Sequence, residues 1–261
     1  MEILEKIQQA VLKAAELIPD SFDTDELIGK AGRDANYVTE YDLKVQTELY
    51  RLLREIYPGA TMIGEEDIGE ENRVGKHTFI IDPIDGTANF ARNMRCSTVC
   101  VAYAEDGIVK AGVVYNPYTK EMFSAVKGQG ATLNGKKITV ADKPLSKAIT
   151  FVGSAPYYEE MITKTFKMAE AFLRTGHDIR RAGSAAYDIC QVACGRGDVM
   201  FEASLSPWDF GAARIIVEEA GGIITDMQGN ELPVDKKSSV LAASKTAYND
   251  ALKLITDILN D

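Results

Sequence analysis

Residues 81–90 read Ile81-Asp82-Pro83-Ile84-Asp85-Gly86-Thr87-Ala88-Asn89-Phe90, and they close the apolar run TFII. Asp82 and Asp85 stand three apart where a buried strand is expected to end. Two carboxylates about 4 Å apart repel by roughly 1 kcal/mol in water and about 4 kcal/mol at intermediate dielectric. A chain of 261 residues has ample capacity for a core, so like charges at the end of a core strand call for a counter-charge.

Two further acidic groups follow apolar runs or open a helix. Glu65, Glu66 and Asp67 follow ATMIG, and Asp209 lies in SPWDF at the start of a helical pattern. Ligand groups in α/β sheets gather where strands end. If these termini converge, several carboxylates share one pocket, and an oxygen-only donor set suits Mg²⁺ or Mn²⁺ rather than zinc. The plainer reading of each group alone is a solvated loop, a turn cap or a helix cap; three together favour the cation. An EF-hand is excluded, because the acids run D-x-x-D, Pro83 takes the second position and Asn93 stands where the closing glutamate belongs.

The formal net charge of −10 argues against a nucleic-acid groove and an anionic membrane surface. It leaves an anionic substrate in need of local positive charge. The opening residues, MEILEKIQQAVLKAAELIPD, carry charges throughout and read as no signal peptide. No stretch approaches the roughly 18 apolar residues of a membrane span. Four cysteines make no disulfide framework and suit a reducing compartment, so a cytoplasmic protein is expected.

Apolar spacing predicts amphipathic helices over 2–18 and 41–56. The polar stretch Gly29–Asn36 lies between them. ATMIG and TFIID read as buried strands, and the runs from Cys96 to Val126 as a β-meander turning at Asp106-Gly107 and Asn116-Pro117. After Pro144, helices at 156–174, 184–194, 207–220 and 245–258 alternate with strands near 149–153, 198–202, 222–226 and 239–243. The expected organisation is an α+β half, 1–143, and an α/β half, 144–261, forming one catalytic unit.

The segments GEE, DPIDGTANF and WDFGAARIIVEEAGG (Trp208–Gly222) resemble, in order and spacing from Asp42 to Gly222, the signatures of the inositol monophosphatase family. The resemblance implies an αβαβα layered sandwich, a homodimer, two or three Mg²⁺ ions with Mn²⁺ as a substitute, and inhibition by Li⁺. Carried over by position, Glu65, Asp82, Asp85, Asp209 and the carbonyl of Ile84 match the family's metal ligands. Glu66 and Asp42 match residues around a more weakly held ion. Thr87 and Glu65 match the pair that orients the attacking water, and Asp85 joins them in the catalytic set. Asp85, Gly86, Thr87 and Asp209 border the bound substrate. RRAGSAAYDICQVACGRGDVMFEASLSPWD resembles the inositol-contacting stretch, with Gly183, Ser184 and Ala185 facing the ring and Glu202 accepting from its hydroxyls. The family also carries a lysine in a mobile loop; Lys30 and Arg33 both lie near that place, and neither aligns without a shift.

The implied reaction is hydrolysis of a phosphate monoester, inositol monophosphate before others. The alternatives are a broader sugar-phosphate phosphatase, such as a fructose-1,6-bisphosphate-hydrolysing relative, and a regulatory, protein-binding member. Two cations would offset the repulsion of Asp82 and Asp85 and supply the positive charge an anionic substrate needs. Gly86 lets backbone approach a phosphate, and Thr87 and Ala88 open a helix whose N–H groups can face it. There is no G-x-S-x-G and no Walker loop, and His77 and His177 lie far apart with no partner pattern. Cys96/Cys100 and Cys190/Cys194 read as core packing, GQGATLNG as a turn between strands, and Trp208 as an anchor for its helix start.

Overall fold

A computed structural model describes residues 2–21, 28–29, 37–66, 68–69, 73–155 and 159–260. Lys30, Arg33 and Asp67 lie outside them. Helix α1 (Glu2–Ala15) buries Ile7, Val11 and Ala14. It ends three residues before the expected limit. The amides of Glu16, Leu17 and Ile18 bond to carbonyls three residues back, a tightening that precedes Pro19. The two-residue strands β1 (Ile28–Gly29) and β2 (Tyr37–Val38) pair antiparallel ahead of helix α2 (Glu40–Ile56). Thr39 caps α2, its hydroxyl accepting from the Tyr41 amide at 3.2 Å.

A seven-stranded sheet follows in the order β3 (Thr61–Gly64), β4 (His77–Asp85), β5 (Thr98–Glu105), β6 (Ile108–Asn116), β7 (Glu121–Val126), β8 (Gly130–Leu133) and β9 (Lys136–Ile138). Within it only β3 and β4 run parallel. The five-residue helix α3 (Thr87–Ala91) joins β4 to β5. The expected meander is present and longer than its sequence pattern suggested: GQGATLNG contributes β8 as well as a turn. That turn lies at Asn134-Gly135, where both residues take positive φ, as a tight hairpin requires. β4 also outruns its expected end at Asp82, since pairing with β5 resumes at Asp85 opposite Thr98.

The second sheet has the order β11 (Asp178–Arg180), β10 (Ile149–Val152), β12 (Val199–Leu205), β14 (Ser238–Ala243), β13 (Ile223–Thr225). Its helices are α4 (Glu159–Thr175), α5 (Ala185–Ala193), α6 (Pro207–Glu219) and α7 (Lys245–Asn260). β11 had no counterpart in the sequence pattern. It is a three-residue edge strand with no fully buried side chain, so it carries no apolar run.

Alternation along the strands sorts the layers. Phe79, Ile81, Val101 and Val113 pack on Val11, Leu49 and Leu53 of α1 and α2. Ile80, Cys100 and Ala102 face the other way, onto Ile189, Phe210 and Ile216 of α5 and α6, and that core continues to Met200, Val240 and Ala242 of the second sheet. Phe201 and Leu241 then meet Met168, Phe172, Ala251 and Ile255 of α4 and α7. The result is the five-layer αβαβα sandwich. Its central layer sits very close to the first sheet: a Cβ on Gly112 of β6 would fall 2.5 Å from the carbonyl oxygen of Ala212 in α6. The four cysteines are free thiols, Cys100 and Cys190 fully within the core between the sheets. Among the described residues no helix is long and apolar enough to cross a membrane.

Candidate active site

Residues three apart on an unbroken strand project to opposite faces. Between Asp82 and Asp85, β4 advances three residues while β5 advances two, from Cys100 to Thr98. This bulge, with Pro83 where no ladder amide is needed, turns both carboxylates to one side. Asp209, in the first turn of α6, completes the set. Carboxylate oxygens of Asp82, Asp85 and Asp209 all lie within 4.8 Å of one another.

Each carboxylate is held by backbone. Asp82 Oδ1 accepts from the Ile84 amide at 3.0 Å, and Asp209 Oδ2 from the Ser206 amide at 2.6 Å. Asp85 is the most heavily braced. Its Oδ2 accepts from Ser184 Oγ at 2.5 Å, the Ala186 amide at 2.8 Å and Thr98 Oγ1 at 3.3 Å, and its Oδ1 accepts from the Ala185 amide at 3.1 Å. The start of α5 therefore closes on Asp85. The Ser184 hydroxyl and Ala185 amide, expected to face a substrate ring, donate to this carboxylate.

Thr87 Oγ1 donates toward Ile84 O at 3.1 Å and Asp42 Oδ1 at 3.3 Å. Asp42 Oδ2 accepts from the Thr39 amide and hydroxyl at 2.8 and 2.5 Å. Between Asp85 and Thr87, Gly86 has φ +85°, and a Cβ there would meet Cys96 O, Gly183 O and the Ser184 Cβ at 3.1 Å each. Glu65 and Glu66 follow β3, with the Glu66 backbone held by Gln46. Gln46 Nε2 donates to Glu66 O at 2.7 Å, and the Glu66 amide donates to Gln46 Oε1 at 3.0 Å. Glu202, on β12, accepts from the Ala155 amide at 3.1 Å.

The acids form one electrostatic cluster. Burial first, then Glu65, Asp85 and Asp209, push Asp82 well above the usual carboxylate range. Burial and then Asp209 do the same to Glu65. Asp209 is pushed up to about 8 by burial and then by Asp85, and Asp42 to about 6 by burial against the pull of its Thr39 bonds. Burial also raises Asp85, opposed by Ser184 and the α5 amides. Glu202 rises to about 7 through burial, with Arg181 acting in the other direction. Such a set, hard oxygen donors under pressure to take up positive charge, fits a divalent cation such as magnesium.

Gln46 and Asp188 carried no sequence signal strong enough to single them out, and Asn89 stood out only as part of the DPIDGTANF segment. Gln46 lies one helical turn from Asp42, a spacing that would have placed both on one face of α2. Asn89 Nδ2 donates to Cys96 O at 2.7 Å and Ala182 O at 2.8 Å, tying α3 to the start of α5. Asp188 is buried and pushed up to about 8 by that burial; its Oδ2 accepts from the Ala182 amide at 3.2 Å, and its Oδ1 has no partner.

Comparison with known proteins agrees with this geometry. The profile described as inositol monophosphatase family matches residues 1–259. The curated relative named Nus factor SuhB of Pasteurella multocida (strain Pm70) is 32% identical over 255 residues, covering 97% of this chain and 95% of the relative. Among solved structures, an IMPase of Thermotoga maritima is 30% identical with a TM-score of 0.87, covering 100% of this chain and 99% of its own. The extragenic suppressor protein suhB of Bartonella henselae is 29% identical with a TM-score of 0.88, covering 99% and 98%. With this fold, this acidic cluster and a family match over almost its full length, the chain belongs to the inositol monophosphatase family.

Proposed function

We propose that the chain is a magnesium-dependent phosphatase that hydrolyses inositol monophosphate to inositol and phosphate. The observation that carries this reading is the meeting of Asp82, Asp85 and Asp209 beside the Ile84–Thr87 turn. Those three carboxylates, the Ile84 carbonyl and Glu65 would hold the cations, with Asp42 and Glu66 near a weaker third position. When bound, the ions would supply positive charge for the phosphoryl oxygens, acidify the attacking water and stabilise the departing alkoxide.

The protein's own groups do the positioning. Thr87 Oγ1 spends its proton on Ile84 O or Asp42 Oδ1, which leaves its lone pairs to accept from water. Glu65 accepts the second water proton, so the water oxygen is aimed along the phosphorus–ester bond. Gly86, whose missing side chain would press on Cys96 O, Gly183 O and Ser184, allows the left-handed turn that sets Asp85 and Thr87 on either side of it. Glu202 faces the leaving group, where a carboxylate accepts from polyol hydroxyls and repels a second phosphate.

A panel of inositol 1-phosphate, fructose 1,6-bisphosphate, adenosine 3′,5′-bisphosphate and histidinol phosphate, with and without Mg²⁺, tests the reading. Release from the inositol ester alone supports it, release from several sugar phosphates broadens it, and no Mg²⁺-dependent release rejects it. A second reading has its own support: the Pasteurella multocida relative is named a Nus factor, which points to a regulatory role through a protein partner. Binding to such a partner undiminished in Asp85→Asn would separate that role from hydrolysis.

A further inference from the structure

Helix α2 touches the site at two points one turn apart. Asp42 receives Thr87 Oγ1 at 3.3 Å, and Gln46 holds the Glu66 backbone by both its amide and carbonyl. Both residues are fully buried. Four residues along a helix span about 6 Å, so α2 fixes the spacing between the Glu65–Glu66 segment and the β4–α3 turn. These two segments come from different strands and have to keep register for any shared ligand.

The choice of side chain follows from the surroundings. The Glu66 backbone presents one donor and one acceptor, and a primary amide alone among the polar side chains of this length answers both while staying neutral. A glutamate would lose the donor to Glu66 O and add another negative charge to a cluster that already raises its own members. An apolar residue would remove both of the bonds that Gln46 makes to the Glu66 backbone, in a buried place.

We propose that Gln46 is a positioning residue that sets the cation affinity of the site by fixing the Glu65–Glu66 backbone over the Asp82–Asp85–Asp209 cluster. This rests on the metal-dependent reading above for its cation arm; its backbone arm stands without it. Residues that orient ligands from behind typically change metal affinity by about 10- to 100-fold when removed.

The test uses the full chain with Gln46→Met and, as a milder change, Gln46→Asn, which keeps the amide but is one methylene short. Mg²⁺ binding is measured by calorimetry, backbone mobility by amide hydrogen exchange at Glu66 in metal-free protein, and folding by circular dichroism. The expected result is faster exchange at Glu66 in both variants and a Mg²⁺ dissociation constant raised about 10-fold or more, with unchanged secondary structure. Wild-type exchange at Glu66 and wild-type Mg²⁺ affinity in a folded variant would overturn the proposal. Wild-type protein that binds no Mg²⁺ would overturn the cation reading, and with it the affinity role of Gln46, while the exchange result still judges the clamp. If Gln46→Met fails to fold, the same two measurements on Gln46→Asn decide the matter.

Discussion

Ser184 Oγ donates to Asp85 Oδ2 at 2.5 Å across 99 residues of sequence. With the amides of Ala185 and Ala186 it aims the start of one helix at a single carboxylate. That arrangement stabilises negative charge on Asp85 against the burial that raises its pKa, and Asp85 accepts more hydrogen bonds than Asp82 or Asp209 do.

Asp85→Asn should therefore reduce Mg²⁺-dependent phosphate release by at least about 100-fold, because a direct donor ought to exceed the effect of an outer one. Circular dichroism should show the fold intact, since asparagine keeps one acceptor oxygen for Ser184, Ala186 and Thr98 and gives up the bond from the Ala185 amide. Near-full turnover in this variant would reject the assignment of Asp85 to the cation set.

Removing cations should invert the usual pH dependence of stability. Asp209 in the folded chain titrates at about 8, against about 4 for an unfolded aspartate. Between those values the folded state binds more protons than the unfolded one, so stability falls as pH rises from about 4 to about 8. Asp82 and Glu65 act in the same direction. In EDTA the melting temperature should be higher at pH 5 than at pH 8. Millimolar Mg²⁺ should raise it most at pH 8, where the carboxylates are released to bind it. A flat profile in EDTA, or equal Mg²⁺ effects at both pH values, would contradict this account.

Glu202→Ala should weaken turnover of inositol phosphate by about 10- to 100-fold, the range of a lost hydrogen bond to a charged group. A small aryl phosphate has no ring hydroxyls to lose, so its turnover should change far less. Equal losses on both substrates would remove Glu202 from recognition of the leaving group.

Gly86→Ala forces a left-handed backbone on a residue with a side chain and presses its Cβ against two carbonyl oxygens and Ser184. A stability loss of about 1–3 kcal/mol is expected from denaturant unfolding. Phosphate release should fall further than that loss explains, because Asp85 and Thr87 flank the strained position. An unaltered variant would mean that the turn relaxes without disturbing either neighbour.

Much of this was legible in the sequence. The helices α2 and α6 and the β5–β7 meander follow from apolar spacing, because a helix or strand buried on one side must repeat with its own period. Asp82, Asp85 and Asp209 stood out because acids at the edge of apolar runs are electrostatically expensive. The bulge that turns Asp82 and Asp85 to one side was not legible, since it depends on how β5 pairs with β4. Nor was the closure of Ser184 and Ala185 on Asp85, a tertiary contact with no local pattern. Gln46 escaped because a lone glutamine within a charged helix looks like surface, and only its full burial and its bonds to Glu66 separate it from its neighbours. β11 escaped for the opposite reason, being held by pairing with β10 rather than by any burial of its own.

The near contact of Gly112 with the Ala212 carbonyl leaves the central helix no slack against the first sheet. A strand and a helix seated backbone to backbone cannot slide without collision, so the interior acts as a rigid chassis. A side chain at Gly112 must then displace the strand or the helix itself, because the nearest atom to it, the Ala212 carbonyl oxygen, belongs to the backbone of that helix.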